Sequence, residues 1–298
     1  MRFPLKFTPK TLYRWLLIQI VSILVAAAIG IVILGEILTG PASTAVGSLM
    51  PDFPVEAVRI PAGQDHAVHG WLANGVRGQG VVLLVHSIRS NRLEMLGRAR
   101  FLNERGYSVL LIDLQAHGET PGERITFGFL ESEDVKTAVT YLRNHYPHEK
   151  IAAIGVTLGA AAILLANPPP RLDALVLESL HPTFEQAVEN RLKLHLGEFG
   201  LWIKPLLLSY LSMLLDLSIE ELNPIDRISN LTAPVLFISG THDRHTTQSE
   251  VERLFNAAPQ PKELWIVPGA GHYNMHTYDS KSYEERVSSF LDQYLSSS

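Results

Sequence analysis

The chain has 298 residues, enough to bury a full α/β core and short of two complete average domains. Apolar residues make up 46% and charged residues 18%, which excludes a disordered chain and a coiled coil. A net charge of −5 argues against nucleic-acid binding driven by phosphate contacts, and the absence of cysteine removes disulfides, thiol nucleophiles and thiolate metal sites.

Residues 15–35 carry no charged side chain. At ~1.5 Å per residue that run reaches about 30 Å, the thickness of a bilayer core. Arg2, Lys6, Lys10 and Arg14 precede it, and no Lys or Arg follows until Arg59. The charge bias predicts a cytoplasmic N-terminus and a body on the far side of the membrane. A cleaved leader has a shorter apolar core and a small-x-small site, and Ser43-Thr44-Ala45 fits one poorly. The expectation is an uncleaved anchor over residues 15–38 behind a basic segment, 1–14. Residues 39–54, rich in Gly, Ser, Thr and Pro, read as a linker.

Six short apolar runs follow, at 81–85, 109–112, 151–154, 174–177, 235–238 and 264–267. They are mostly Val, Ile and Leu with little alternation, as expected of strands buried on both faces. Two runs before them, 55–60 and 68–72, read as antiparallel edge strands. Between the runs lie helical patterns, clearest in Val135, Ala138, Val139, Leu142 and Tyr146, then in Val251, Leu254 and Phe255, and in Val287, Phe290, Leu291 and Tyr294. Strands alternating with helices predict an α/β fold with a mostly parallel, helix-covered sheet. The alternation fails between Leu180 and Ala233. The apolar stretch 201–217 in that gap, interrupted by Lys204 and Pro205, reads as a helical insertion over the sheet whose apolar residues are mainly core.

The chemistry is expected where strands end. The run 151–154 leads into Gly155-Val156-Thr157-Leu158-Gly159 and then an Ala-rich helix. In such a strand–turn–helix elbow the central hydroxyl is exposed, the flanking residues are small, and the next N–H opens the helix toward a developing oxyanion. Asp243 follows the strand at 235–238, with Asp226 a rival that precedes it. His272 follows the strand at 264–267. A carboxylate, an imidazole and a hydroxyl at the C-terminal ends of parallel strands match the needs of acyl transfer. Glu178 is a weaker alternative acid.

On these residues the sequence resembles the α/β-hydrolase family over about 55–295. His86-Ser87 is similar to the family's oxyanion loop, which implies a hole formed by the backbone N–H groups of Ile88 and Leu158. Asp113-Leu114-Gln115-Ala116-His117-Gly118 is similar to its Asp-x-x-x-His-Gly segment, with His86, Asp113 and His117 expected to be structural. The insertion, about 181–233, takes the place of the family's lid in a hydrolase domain spanning 55–298. A bacterial, membrane-anchored subgroup with serine-aminopeptidase-like domains is the nearest resemblance. Two departures stand out: Ser87 where the family has Gly, and Thr157 where it has Ser. β-Branching on a disfavoured backbone costs about 1–3 kcal/mol, or roughly 5- to 150-fold in rate if it all enters the barrier.

The reading is a Thr157–Asp243–His272 hydrolase of an ester, thioester or amide bond. A small-molecule or lipid-like acyl substrate is expected, with no cofactor and no metal. His242-x-x-His245 and His272-x-x-x-His276 pair imidazoles but do not match the helix of zinc proteases. The alternatives are a catalytically inactive binding protein that keeps the fold, and an acyltransferase.

Overall fold

The structure, a computed structural model, describes residues 9–46, 51–63 and 66–296. Arg2 and Lys6 of the basic segment, and residues 47–50 of the linker, lie outside the described residues. Helix α1 (Pro9–Thr39) is followed by β1 (Ala42–Ser43), β2 (Glu56–Pro61), β3 (Ala67–Ala73), β4 (Val81–Val85), α2 (Leu96–Glu104), β5 (Ser108–Ile112) and β6 (His117–Gly118). Then come α3 (Glu131–His145), β7 (Ile151–Val156), α4 (Leu158–Leu165) and β8 (Ala174–Glu178). Three helices follow without a strand, α5 (Phe184–Leu196), α6 (Gly200–Leu215) and the short α7 (Ile225–Ile228), and then β9 (Val235–Gly240) and α8 (Gln248–Ala257). Strand β10 (Lys262–Val267), α9 (Met275–Tyr278) and α10 (Ser280–Leu295) complete the described chain.

Eight strands form one sheet in the order β10-β9-β8-β7-β4-β5-β3-β2. From β10 to β5 every pairing is parallel; β3 pairs antiparallel with β5 and with β2. All six apolar runs fall in this sheet, as do the two runs read as edge strands, of which β2 is an edge and β3 lies inside, between β5 and β2. Their lack of alternation has a direct cause in β4. Val81, Leu83 and Val85 pack on one side with Val135 and Ala138 of α3, while Val82 and Leu84 pack on the other with Leu102 of α2 and Val287 of α10. A strand covered on both faces has no polar side to display.

A third apolar cluster lies off the sheet and holds Ile31 of α1, Phe127, Phe184 and Val188 of α5, and Leu207 and Leu211 of α6. Helices α5 and α6 form a cap over the C-terminal rim of the sheet. The interruption expected at Lys204-Pro205 does not break α6, which runs through Pro205. Pro205 is its sixth residue, so one ladder hydrogen bond is lost near a frayed end and the rest survive. Lys204 instead reaches Glu185 and Glu189 of α5, at 2.7 and 2.8 Å, and ties the two cap helices together. Most apolar residues of the stretch do pack as core: Leu207 and Leu211 are buried, and Ile203, Leu208, Tyr210, Leu215 and Leu217 pack against the same cluster. Phe199, Trp202, Leu206 and Met213 face outward, Trp202 at 80% exposure.

Helix α1 is long and apolar enough to cross a membrane. By length and composition the cap stretch Phe184–Leu215 also qualifies, although it turns at Gly197. Side chains from 12 to 30 on α1 are exposed, whereas Ile31, Gly35 and Thr39 are buried at a spacing of four against the body. Gly35 is needed there because a Cβ would sit 2.4 Å from the Tyr210 ring of α6. The carbonyls that end a helix lack intrahelical partners. Here Arg89 Nη1 donates to Ile37 O at 2.7 Å, the Ile125 N–H donates to Thr39 O at 2.7 Å, and Arg124 pairs with Glu36 at 2.9 Å. The segment read as a linker is pinned at its start: β1 runs parallel to β6, and Val46 is fully buried. Composition marked the segment as unstructured, but the hydrogen bonds that hold it come from a loop more than seventy residues away.

Candidate active site

The strands β7, β8, β9 and β10 are consecutive neighbours and parallel, so their C-terminal ends share one rim. Thr157 leaves β7, Asp243 leaves β9 and His272 leaves β10. Strands ~4.8 Å apart put the elbow and the acid about 10 Å from each other, a gap spanned by a carboxylate and an imidazole.

The elbow has the strain its pattern predicts. Thr157 adopts φ 48° and ψ −96°, a region costly for any β-branched residue. Its neighbours are glycines by necessity. A Cβ on Gly155 would meet Ala160 N at 2.6 Å, and one on Gly159 would meet Val85 O at 2.4 Å. The Gly159 N–H donates to His86 O at 3.1 Å, which locks the elbow to the loop after β4. Thr157 is 3% exposed, and its Oγ1 has no hydrogen-bond partner among the described residues. The structure therefore does not join Thr157 to His272 by a hydrogen bond. Such bonds are often long before substrate arrives.

The acid and the histidine do meet. Asp243 Oδ2 lies 2.8 Å from His272 Nδ1. Asp243 Oδ1 accepts from the N–H groups of His245 and Thr246, at 2.8 and 2.9 Å, so the whole carboxylate is held. Burial alone would raise the carboxyl pKa, but the hydrogen bond and charge of His272 and those two N–H groups outweigh it and keep Asp243 below the usual carboxylate range. With Nδ1 facing a carboxylate, the Nε2 of His272 is left for chemistry. Gly240 is required behind this corner, since a Cβ would meet Ala270 O at 2.2 Å.

The remaining sequence candidates are structural. His86 Nε2 accepts from the Leu114 N–H at 3.1 Å, so Nδ1 carries the proton and donates to Ser87 O at 2.7 Å. His117 likewise accepts from the Arg89 N–H and donates to Gln115 O; burial first, and the neighbouring His86 second, lower it to about 4. Asp113 binds the Arg92 side chain at 2.6 Å and the N–H groups of Arg92 and Glu119. Ser87, in place of the family's Gly, gives both its N–H and its hydroxyl to Glu94. Glu178 is not a substitute acid: it is buried under the rim, in a pair with Arg98 at 2.5 Å, and accepts from Tyr283. Asp226 sits in the short helix α7, before β9. His276 pairs with Glu284 at 2.9 Å, and among the described residues no group of three or more metal-ligating side chains occurs.

Beside the elbow a cavity of about 420 Å³ opens beneath the cap, within the range of small-molecule sites. Its walls include Thr157, Ile88 and Leu158, Phe127, and Phe184, Val188 and Leu207 of the cap. Neither the Ile88 nor the Leu158 N–H makes a hydrogen bond among the described residues. The sequence reading passed over His181, which also lines this cavity. It is 6% exposed, both ring nitrogens lack partners among the described residues, and burial, then Arg191 and His272, lower it to about 3. It stands just past the end of β8, so the strand-end rule that found Asp243 and His272 was the one signal that pointed to it.

The sequence pattern of the serine aminopeptidases of family S33 matches residues 77–216. A Mycobacterium tuberculosis protein, Rv2307c, is 31% identical over 251 residues, covering 78% of this chain and 81% of its own. The chain belongs to the α/β-hydrolase family. This α/β-hydrolase is also similar to the Bacillus subtilis protein YqkD, 26% identical over 240 residues and 78% of each chain. Its fold matches the solved Pyrococcus furiosus esterase PF2001 with a TM-score of 0.71 at 24% identity, over 87% of this chain and 98% of that one. An esterase from Exiguobacterium antarcticum superposes at a TM-score of 0.60, with 16% identity over 80% of this chain and 100% of that one.

Proposed function

We propose that this α/β-hydrolase is a membrane-anchored enzyme that cleaves an ester, thioester or amide through Thr157, His272 and Asp243. Thr157 Oγ1 attacks the substrate carbonyl carbon as His272 Nε2 takes the hydroxyl proton. The carbonyl oxygen gains the negative charge and is stabilised by the Ile88 and Leu158 N–H groups. As the tetrahedral intermediate collapses, the carbon–heteroatom bond breaks and His272 returns the proton to the leaving group. Water, activated by the same imidazole, then releases the acid and regenerates Thr157. Asp243 holds the tautomer throughout.

The observation that carries this reading is the 2.8 Å Asp243–His272 bond on the rim that also bears the elbow. An apolar cavity beside Thr157 favours an acyl substrate. Helix α1 is read as an uncleaved anchor over residues 15–38, with a cytoplasmic N-terminus, an extracytoplasmic hydrolase domain over 55–298, and the cap, about 181–233, as its lid. The test is turnover of p-nitrophenyl esters by the detergent-solubilised full chain. The wild type is expected to be active, and both Thr157→Ala and His272→Ala inactive. Undiminished turnover in either variant contradicts the assignment.

A further inference from the structure

The cavity beside Thr157 is walled in part by Leu34 and Leu38 of α1, the same helix that is read as the membrane anchor. Those two residues lie on the stripe of α1 that docks on the body, one turn apart, facing Phe184 and Val188 of α5 and Leu207 of α6. Docking begins at Ile31, whereas the charge-free run of α1 extends from 15 to 35. Residues 15–30 alone are 16 residues, about 24 Å of helix, which is less than the ~30 Å of a hydrocarbon core. With the charge-free run 15–35 as the span, the first docked turns supply its last part. The cavity wall made by Leu34 consequently lies at the boundary of the outer leaflet, within reach of lipid tails.

A second observation points the same way. Phe199, Trp202, Leu206 and Met213 form an outward apolar face on the cap, next to the docked turns of α1. In water such a face is costly; beside a transmembrane helix it meets the interfacial layer, where aromatic rings are favoured. The docked turns are themselves tied to the body by polar groups, Arg89 on the Ile37 and Gly40 carbonyls and Arg124 on Glu36.

We propose that the cavity takes one acyl chain of a membrane lipid, which enters sideways from the bilayer between α1 and the cap, so that the anchor helix is itself a wall of the acyl-binding site. The proposal rests on the anchored-hydrolase reading and names its substrate class. It also explains why the walls around Thr157 are mostly apolar, His181, Arg191 and His195 excepted, although the body faces an aqueous compartment: the chain would pass from hydrocarbon to cavity without crossing water, and only the carbonyl end would reach the polar rim.

The test uses the full chain in phosphatidylcholine nanodiscs that contain some phosphatidylcholine with a diazirine near the end of one tail. After irradiation, labelled peptides are mapped. Label is expected on Phe127, Val188 or Leu207, which are buried and out of reach of a bilayer from outside. Leu34→Trp, which fills the cavity from α1, is expected to cut that label roughly tenfold, the effect of about 1.4 kcal/mol of lost binding. Val188→Trp fills it from the cap and gives the same loss, should the α1 variant fail to fold. Ile29→Trp, on the exposed side of α1, leaves the label unchanged. Cavity peptides that stay unlabelled in the wild type, or label indifferent to both fillings, overturn the proposal. So does label that appears only when a diazirine fatty acid is offered on albumin from the water, because the chain then comes from a soluble carrier. Labelling needs no turnover. Cavity label without any esterase activity counts against the hydrolase reading alone, and esterase activity without cavity label counts against this proposal alone.

Discussion

The elbow after β7 and the acid–histidine corner after β9 and β10 share one rim, yet they are held in opposite ways. At the corner both carboxylate oxygens of Asp243 are engaged, and the imidazole is held at Nδ1. At the elbow the backbone is forced, glycines are packed to within touching distance on both sides, and the hydroxyl has no partner. At the corner the cost of burying a carboxylate is offset by the hydrogen bonds and the charge that hold it. The elbow stores strain, about 1–3 kcal/mol for a residue so placed, and keeps its reactive group unsatisfied. Under the proposed mechanism the contrast is a division of labour: orientation is built in at the corner, while reactivity at the elbow waits for a substrate to complete it.

The sharpest way to break the contrast is at the imidazole. His272→Ala removes the base while leaving the elbow intact, and ester turnover is expected to fall by up to about 10⁶-fold, as when a triad member acting in concert is lost. Retained turnover would mean that the corner is ornamental. Asp243→Asn keeps the shape of the corner but permits the wrong tautomer. Its expected cost is roughly 10⁴-fold in kcat with little change in KM. Loss of KM alone would instead place Asp243 in substrate binding.

At the elbow the expected effect has the opposite sign. Thr157→Ser keeps the hydroxyl and removes the methyl that aggravates the positive φ. Rate is expected to rise, by roughly 5- to 150-fold if the strain is expressed in the barrier. Turnover that falls in the Ser variant would show that the methyl has a positive role, for instance in orienting Oγ1.

The smallest effect concerns acid stability. His181, His117 and His245 are kept neutral chiefly by burial, which lowers them to about 3, 4 and 4. In the unfolded chain each takes up a proton near pH ~6.5. Below that pH the unfolded state binds more protons than the folded one, so stability falls as pH drops from about 6.5 toward 4. Asp243, whose folded value is depressed, stabilises above the ordinary carboxylate pKa and adds its own loss only as pH falls through its lowered value. His181→Gln removes one of the three imidazoles. The fall in melting temperature between pH 7 and pH 5 is expected to shrink by a few degrees, since ~1 kcal/mol shifts Tm by about 2–4 °C in a chain of this size. An unchanged fall would show that His181 is already charged or solvated in the native state.

How legible each part was in the sequence follows from the range of the forces involved. Strands such as Val81–Val85 were visible because burial on both faces writes itself into every residue. The elbow was visible because its pattern is local in sequence, and Gly155 is required by Ala160 five residues on, although Gly159 is required by Val85 of a neighbouring strand. Asp243 and His272 were found by order and position at strand ends, although their 2.8 Å meeting is a property of the folded sheet. What escaped depends on distant partners. Nothing near Leu34 announces that it faces Val188, and nothing near Ala42 announces His117. His181 carried no motif, and its lack of partners exists only once the cap closes over it. The interruption read at Pro205 came from a rule for helix interiors, and the residue stands near the start of its helix.

The proposed chemistry turns on one atom, the hydroxyl oxygen of Thr157. Its most direct test is mass spectrometry of the full-length protein after reaction with a fluorophosphonate, which transfers its phosphorus to an activated hydroxyl and releases fluoride. The expected result is a single adduct on the peptide bearing Thr157, absent from the His272→Ala protein. An unmodified Thr157, or an adduct that forms as readily without His272, would contradict the account.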